Sequence, residues 1–297
     1  MKKHIPFIVI ILIFITGFGF LLYPLVSSVV NNIGMRSEIE QYESKANKLE
    51  QTETDRLFEE ADSYNRSLTD TVILTDPFDA DSYEKIGAHY HETFNVGEDG
   101  LIGYIDIPKI NVFLPIYHGT SVEVLSKGAG HLDNTSFPVG GTNTHSVISA
   151  HSAYPSQTLF DYLPDMEVGD EFYIHVLNQT LKYEVDQIKT VLPDQINDLY
   201  VMKGEDLVTL MTCTPYTINT HRLLVRGKRV PFDSQNQSKA SVVSVDEGGV
   251  YMMGYKLSYL TLGIAIAVFV TAVAAAVVLI VIRHRRKRRL AAEKDGD

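Results

Sequence analysis

A lone cysteine and an arginine nine residues after it are the side chains of this sequence that best suit nucleophilic chemistry. Cys213 is the only cysteine in 297 residues, and it ends the apolar run "DLVTLMTC". The turn-rich stretch "TPYTINT" follows, and Arg222 opens the next predicted strand, "RLLVRGKRV". Antiparallel strands joined by a loop bring their facing ends together, so we expect the two side chains to meet at one mouth of a β-barrel. A cation at that position favours a thiolate or a developing oxyanion.

A nucleophilic thiol usually works with an imidazole, which makes each histidine a candidate partner of Cys213. His151 ranks first, because it ends the predicted strand "HSVISAH" and enters a loop, where catalytic side chains concentrate. His175 lies inside a strand pattern, which predicts a structural role. His221 adjoins Arg222 and should point to the opposite face of their strand. The other candidates in the central part of the chain are His89, His91, His118, His131 and His145. The alternative is an inert core cysteine that needs no partner.

Composition and motifs exclude several other classes of site. One cysteine cannot form a disulfide framework, and no CxxC, HExxH, GxGxxG, Walker loop or GxSxG motif is present. We therefore expect no metal and no organic cofactor. The chain has 26 basic residues (Lys+Arg) and 37 acidic residues (Asp+Glu). The two ends, residues 1–26 and 257–297, together hold nine of the basic and three of the acidic residues. The middle therefore holds 17 basic and 34 acidic residues, a net charge of −17. An acidic domain of this kind does not suit nucleic acid binding.

Two uncharged apolar stretches, residues 5–22 and 257–282, predict transmembrane helices that flank the middle of the chain. Each is long enough to cross the ~30 Å hydrocarbon core. A lysine pair precedes the first stretch and "RHRRKRR" follows the second, and positive residues favour the cytoplasmic side. This predicts an N-terminal anchor over residues 1–26, a basic cytoplasmic tail over residues 283–297, and residues 27–256 outside the membrane. A cleaved signal peptide is the alternative for the first stretch.

Between these ends, the pattern of apolar residues changes from helical spacing to short runs typical of β-strands. Residues 27–72 predict a helical stalk that packs on the domain surface, because apolar residues recur at rough helical spacing. These positions are Val30, Ile33, Met35, Ile39, Tyr42, Ala46, Leu49, Leu57 and Ala61. From Gly100 to Phe232, short runs rich in β-branched and aromatic residues predict a closed or sandwiched all-β domain with short helical inserts. Residues 233–256 have the polar composition of a linker.

Several motifs, in the same order along the chain, resemble the sortases and above all their class C, pilus-assembling group. "TLMTC" matches the TLxTC signature of that family, and residues 209–229, 114–141 and 147–163 resemble class C segments. "TDPF", residues 75–78, is similar to the lid motif of the family. The similarity covers roughly residues 28–232. One departure from the family pattern is "HSAYPS", where relatives often have Arg and Gly after the histidine. The catalytic histidine is kept, but the family pattern does not predict the detailed structure of the loop that follows it.

The resemblance implies an eight-stranded closed barrel over residues 83–232, with Cys213 as nucleophile. His151 would donate and accept protons, and Arg222 would stabilise an oxyanion or clamp the substrate. No ligand cluster in this sequence supports the calcium site of some other sortases.

The resemblance also implies a lid segment, residues 73–82, that lies across the groove of the resting enzyme. In that arrangement Phe78 stacks near Cys213 and Asp76 approaches Arg222, with Pro77 between the two lid residues. The alternative is a surface turn that carries an exposed aromatic side chain.

The implied activity is transpeptidation at the cell membrane of a Gram-positive-type bacterium, with the catalytic domain extracellular and both termini cytoplasmic. A protein with an LPXTG-type sorting signal would be cleaved through a Cys thioester and joined to a lysine amine of a pilin, without a cofactor. The alternatives are a hydrolytic cysteine protease, a housekeeping sortase that anchors surface proteins to the cell wall, and a non-enzymatic membrane-tethered scaffold.

Overall fold

A computed structural model of the protein describes residues 5–68, 76–78, 88–97, 99–154, 157–195, 197–232, 249–252 and 255–258, with a few isolated residues beyond them. The chain divides into two compact units, Met1–Ala240 and Ser241–Asp297. Of the predicted lid segment, residues 73–82, only 76–78 lie within the described part. The predicted linker lies outside it up to residue 248.

Eight strands of the first unit close into a barrel in the order β1-β2-β3-β4-β7-β8-β6-β5, and β5 pairs back with β1. The strands are β1 (Leu101–Ile107), β2 (Val112–His118), β3 (Ala129–His131), β4 (Thr144–Ser149), β5 (Glu171–Val176), β6 (Gln179–Val191), β7 (Asp206–Thr214) and β8 (His221–Val230). The β2–β3 and β4–β7 pairs are parallel, and the other neighbouring pairs are antiparallel. The predicted eight-stranded closed barrel is therefore confirmed.

The barrel has an apolar interior and a smaller apolar cluster on the outer face of β4, β7 and β8. Side chains alternate between the two faces of a strand. On β7, Val208 and Leu210 belong to the main core, whereas Met211 belongs to the outer cluster. The outer cluster contains Leu132, Val147, Leu199, Met211 and Leu224. This second apolar surface matters because the odd-numbered residues of β7, which include the cysteine, share it.

In the described part of the chain, the helices that precede or interrupt the barrel are α1 (Ile5–Ala46), α2 (Gln51–Ser67), α3 (Ala88–Glu92) and α4 (Val122–Leu125). Short 3-10 turns lie at Pro108–Ile110, Leu163–Asp165 and Asn197–Leu199. The sequence predicted short helical inserts at "SVEVLSKG", residues 121–128, and "SQTLFDYLPDM", residues 156–166. The first contains α4, and the described part of the second contains only the 3-10 turn at Leu163–Asp165.

The helical stalk packs on the barrel as predicted. One continuous helix, α1, runs through both the predicted anchor and the first half of the stalk. Its residues Met35, Ile39 and Tyr42 are buried, whereas Val30 and Ile33 are 59% exposed. The Tyr42 hydroxyl donates to the Ile102 carbonyl at 2.6 Å and accepts from the Leu177 amide at 2.8 Å. A single buried hydroxyl therefore ties α1 to strand β1 and to the turn between β5 and β6.

Within the described part of the chain, no helix has both the length and the apolar character required to span a membrane. The side chains of residues 5–15 and most of residues 259–297 lie outside that part, including most of the predicted C-terminal span and the basic tail. In the second unit, β9 (Gly249–Met252) pairs with β10 (Tyr255–Ser258) in an antiparallel hairpin. Leu257 and Ser258, which the sequence assigned to the start of the C-terminal helix, are thus in a strand.

Candidate active site

The hairpin of β7 and β8 brings the predicted nucleophile and the predicted cation together. Cys213 pairs directly with Arg222 across the two antiparallel strands. The loop between them is compact, since the Pro215 carbonyl accepts from the amides of Ile218 and Asn219, both at 3.0 Å. Alternation along β7 places Cys213 on the outer face with Met211, so the pair lies at the strand ends outside the barrel rather than in its mouth.

The parallel pairing of β4 with β7 brings His151 beside Cys213. Ser149 at the end of β4 pairs with Met211, and the Ala150 amide donates to the Met211 carbonyl at 3.1 Å. The Ser152 hydroxyl then donates to the Cys213 carbonyl at 2.8 Å. His151 therefore follows β4 by two residues, instead of ending it as the sequence suggested, and it lies level with Cys213.

Aromatic rings surround the His151 imidazole. Tyr154 stacks on it, with ring centroids 5.4 Å apart and an interplanar angle of 15°. Phe78 lies on it at 5.5 Å and 40°. Within the described residues, no hydrogen bond reaches the imidazole, so no carboxylate orients it as the acid of a Ser-His-Asp triad would. Ring contacts and the backbone of its own loop set its orientation.

Residues 76–78 of the predicted lid segment cover this site. Asp76 accepts two hydrogen bonds from Arg222, from Nε at 2.9 Å and from Nη2 at 2.6 Å. The Phe78 ring lies 5.1 Å from the Arg222 guanidinium carbon and packs on the outer apolar cluster. With these residues in place, only 7% of Cys213 is exposed. Asp76 and Phe78 thus contact Arg222 and His151 respectively, and Pro77 connects them.

The electrostatics of the covered site favour neutral forms of the thiol and the imidazole. Burial raises the pKa of Cys213; the Arg222 charge lowers it and the Asp76 charge raises it again. Burial alone lowers the pKa of His151. Burial, the largest single effect, lowers the pKa of Arg222, but the hydrogen bonds to Asp76 and the charges of Cys213 and Asp76 together outweigh it, so the pKa of Arg222 is raised. The covered site therefore holds a charged arginine beside a protonated thiol and a neutral imidazole.

Other histidines of the barrel are held by structural hydrogen bonds away from the thiol. His131 lies against the Ser136 carbonyl at 2.8 Å, and His145 bridges the Tyr200 carbonyl and the Thr209 hydroxyl at 2.9 and 2.7 Å. His175 stacks on Tyr104 at 4.4 Å, in agreement with the structural role predicted for it. The ring nitrogens of His118 lie 3.0 Å and 2.8 Å from the carbonyl oxygens of Gly100 and Thr93, in the segment that precedes β1. His221 contacts Thr220 rather than the thiol.

The described residues contain no group of three or more His, Cys, Asp and Glu side chains arranged to hold a metal ion.

Sequence reasoning missed three residues that shape the site, namely Ser152, Tyr154 and Asp161. Each acts on the loop that follows His151, through a backbone hydrogen bond or a ring contact. Their only sequence signal is proximity to the histidine in "HSAYPSQTLFD", since a side chain that bonds a backbone amide leaves no spacing pattern.

Comparison with known proteins identifies the family. A family model described as a sortase domain matches residues 105–230. Sortase D of Bacillus subtilis is 30% identical over 131 residues, which are 43% of this chain and 63% of that protein. Sortase A of Streptococcus agalactiae is 29% identical over 131 residues, 43% of this chain and 52% of that protein. The match thus spans less than two thirds of the length of either curated relative.

Solved structures are more similar and are matched over almost their whole length. Sortase C-1 from Streptococcus pneumoniae is 41% identical, with 66% of this chain and 100% of that chain covered and a TM-score of 0.62. The pilus-related sortase C of Group B Streptococcus is 49% identical, with 65% of this chain and 97% of that chain covered and a TM-score of 0.60.

Proposed function

The chain belongs to the class C, pilus-assembling group of the sortases, a family of cysteine transpeptidases, and we propose that it polymerises pilin subunits. In this proposal it cleaves an LPXTG-type sorting signal and joins the new acyl end to a lysine amine of the next pilin. The observation that carries the proposal is the direct pairing of Cys213 with Arg222, beside the loop that holds His151. The similarity to the pilus-related sortase C of Group B Streptococcus supports it.

The first half of the reaction forms a thioester. Cys213 gives its proton to His151, and the thiolate attacks the carbonyl carbon of the threonine in the sorting signal. Arg222 donates hydrogen bonds to the oxygen as it becomes negative, a contribution of about 3 kcal/mol per donor. The His151 imidazolium then protonates the leaving glycine amine as the carbon–nitrogen bond breaks.

The second half resolves the thioester with an amine. The neutral lysine amine of a pilin attacks the thioester carbon and gives its extra proton to His151. The new amide forms, and Cys213 leaves as a thiolate that regains its proton from the imidazolium. Water competes with the amine for the same carbon, so a covered groove favours transfer over hydrolysis.

We also propose that the lid segment, residues 73–82, controls the access of substrate to Cys213. Asp76 uses the Nε and Nη2 donors of Arg222, which are the donors that the substrate oxygen needs. Phe78 lies against the His151 ring, where the substrate must approach. Both contacts have to break before a sorting signal reaches Cys213. The resting form is therefore protected, and the lid controls access.

We also propose that residues 5–22 and the apolar stretch after β10, residues 259–282, anchor the enzyme in the cell membrane of a Gram-positive-type bacterium. The catalytic domain would then be extracellular and both termini cytoplasmic. Confining enzyme and pilin to one surface raises their effective concentration.

Mass spectrometry of the reaction products tests this function. The full-length protein is incubated with a peptide that contains LPXTG, with and without a peptide that carries a free lysine amine. We expect an amide that joins the two peptides, and no product with Cys213→Ala. Product that survives Cys213→Ala would refute the nucleophile. Cleavage of the sorting peptide without transfer to the amine would indicate a hydrolytic protease. Transfer only to a cell-wall-type amine, offered in a parallel reaction, would indicate a housekeeping sortase.

A further inference from the structure

The loop between His151 and the 3-10 turn at Leu163–Asp165 is organised around one carboxylate. Asp161 Oδ1 accepts from the Ala153 amide at 3.0 Å, and Asp161 Oδ2 accepts from the Leu159 amide at 2.9 Å. The Phe160 amide donates to the His151 carbonyl at 3.0 Å. The residues that follow His151 are therefore tied to the segment Leu159–Asp161 at two points.

One residue of this loop adopts a backbone conformation that needs external support. Ala153 has φ = 60°, in the left-handed region that residues other than glycine adopt only at an energetic cost. The amide of the same residue is the one that Asp161 Oδ1 binds. A hydrogen bond to a charged acceptor is stronger than one between neutral groups, and it offsets that cost. Without this hydrogen bond, the cost of the left-handed conformation at Ala153 is not offset, and we expect the backbone there to relax.

The conformation of Ala153 controls what lies on either side of it. Ser152 precedes it and fastens the loop to the Cys213 carbonyl. Tyr154 follows it and stacks on the His151 ring. Because the imidazole has no hydrogen bond from the described residues, these two contacts are what its own loop contributes to its distance and tilt relative to the thiol, beside the ring contact of Phe78 from the lid segment. A change at Ala153 moves both of them together.

We propose that Asp161 is a positioning residue that holds His151 in register with Cys213 by fixing the backbone at Ala153 and Leu159. It touches no reacting atom and acts through the loop. The proposal rests on the proposed transpeptidation, in which His151 transfers protons to and from Cys213.

A second contact connects the same carboxylate to the loop on the other side of the nucleophile. Tyr216, in the loop between β7 and β8, lies close enough to Asp161 that burial and the negative charge of Asp161 together raise the pKa of Tyr216. Asp161 thus lies where the loop after His151 meets the loop after Cys213. A single side chain at that junction is well placed to keep the two loops in a fixed relation.

The test compares Asp161→Asn with Asp165→Asn in the full-length protein. Asparagine keeps the shape of Asp161 but offers one acceptor oxygen instead of two and puts an amino group against a donor amide. Asp165 lies four residues later on the exposed 3-10 turn, so the same change there leaves the loop intact. Thermal melts check that each variant is folded. Asp161→Ser, which removes the carboxylate with less bulk, serves as a second variant if asparagine prevents folding.

The decisive readout is the titration of His151, followed by NMR of histidine labelled at its ring carbon and assigned with His151→Gln. In Asp161→Asn we expect the His151 midpoint to move up toward its ordinary value, because the loosened ring becomes hydrated. We also expect kcat for transpeptidation to fall by about tenfold or more, with KM for the sorting peptide within about twofold, since misplacement of a catalytic group acts on the chemical step.

An unchanged His151 titration in Asp161→Asn, whatever happens to activity, would overturn the proposal, and so would an equal shift in Asp165→Asn. The titration needs no substrate. If the wild-type protein forms no amide product but the His151 midpoint still moves, the proposed function fails while the positioning role of Asp161 stands.

Discussion

Replacing Asp76 with alanine tests whether the lid segment limits access to Cys213. Asp76 accepts two charge-assisted hydrogen bonds from Arg222, at 2.9 and 2.6 Å, and only 15% and 10% of the two side chains is exposed. The pair is therefore shielded from solvent, unlike an ion pair on the open surface, where the contribution is small. Its loss should favour an open lid.

The size of the effect follows from the hydrogen bonds that are lost and those that remain. Two hydrogen bonds to a charged group contribute about 3–6 kcal/mol when considered alone. In the variant, Arg222 keeps its hydrogen bonds to the carbonyls of Asn219 and His221 and gains water. We therefore expect a net shift of about 1.4–2.8 kcal/mol toward the open lid. That shift corresponds to about 10- to 100-fold more open protein.

Alkylation of Cys213 by iodoacetamide, followed by intact mass, measures the open fraction, and the lone cysteine makes the signal unambiguous. Loss of the Asp76 charge also lowers the pKa of the thiol, which increases the rate at neutral pH. The two effects separate across a pH series. A lower thiol pKa moves only the midpoint, whereas an open lid raises the plateau rate above that midpoint.

Asp186→Ala is the matched control. Asp186 makes an equivalent pair of hydrogen bonds with Arg226, at 2.9 and 2.7 Å, on the same strand β8 but away from the thiol. We expect its alkylation plateau to equal that of the wild-type protein. A plateau in Asp76→Ala within about twofold of wild type, or an equal rise in Asp186→Ala, would refute the reasoning.

Three further predictions concern catalysis, pH and the stalk. Arg222→Lys should lower kcat for peptide cleavage by about 100-fold or more, because lysine cannot offer the planar donors of a guanidinium; unchanged kcat would remove Arg222 from the mechanism. Burial lowers the pKa of His131 to about 3 and of His145 to about 4. The unfolded chain therefore binds protons that the folded chain does not, so stability is complete above pH 6.5 and falls toward pH 4, by up to about 2 kcal/mol per histidine at pH 5. Urea unfolding at pH 7.5 and pH 5 measures this loss, which should be smaller in His145→Gln; an equal loss would contradict the assignment. Tyr42→Phe should lower the free energy of unfolding by about 1–3 kcal/mol, because it leaves the Ile102 carbonyl and the Leu177 amide without their buried partner; a denaturant midpoint equal to wild type would show that the Tyr42 hydroxyl does not stabilise the packing of α1 on the barrel.

The sequence alone predicted the features that depend on neighbours along the chain. Alternating apolar residues predicted the strands, and helical spacing at Met35, Ile39 and Tyr42 predicted the face of α1 that the barrel buries. The pairing of Cys213 with Arg222 was also predictable, because both lie on one hairpin and a short loop fixes which residues of its strands face each other. The family motifs gave the number of strands and the position of the lid residues.

Closure of the barrel decided the features that depend on residues far apart in sequence. The parallel pairing of β4 with β7 brings His151 level with Cys213. Ser152 and its partner, the Cys213 carbonyl, lie 61 positions apart, a separation that no local sequence pattern can specify. The Asp76–Arg222 pair spans 146 positions. Because Val208 and Leu210 lie in the barrel core, alternation along β7 places Cys213 on its outer face, which the sequence did not specify. The role of Asp161 was hidden because its partners are backbone amides, which every residue possesses, so that geometry alone selects Ala153 and Leu159 as the ones it binds.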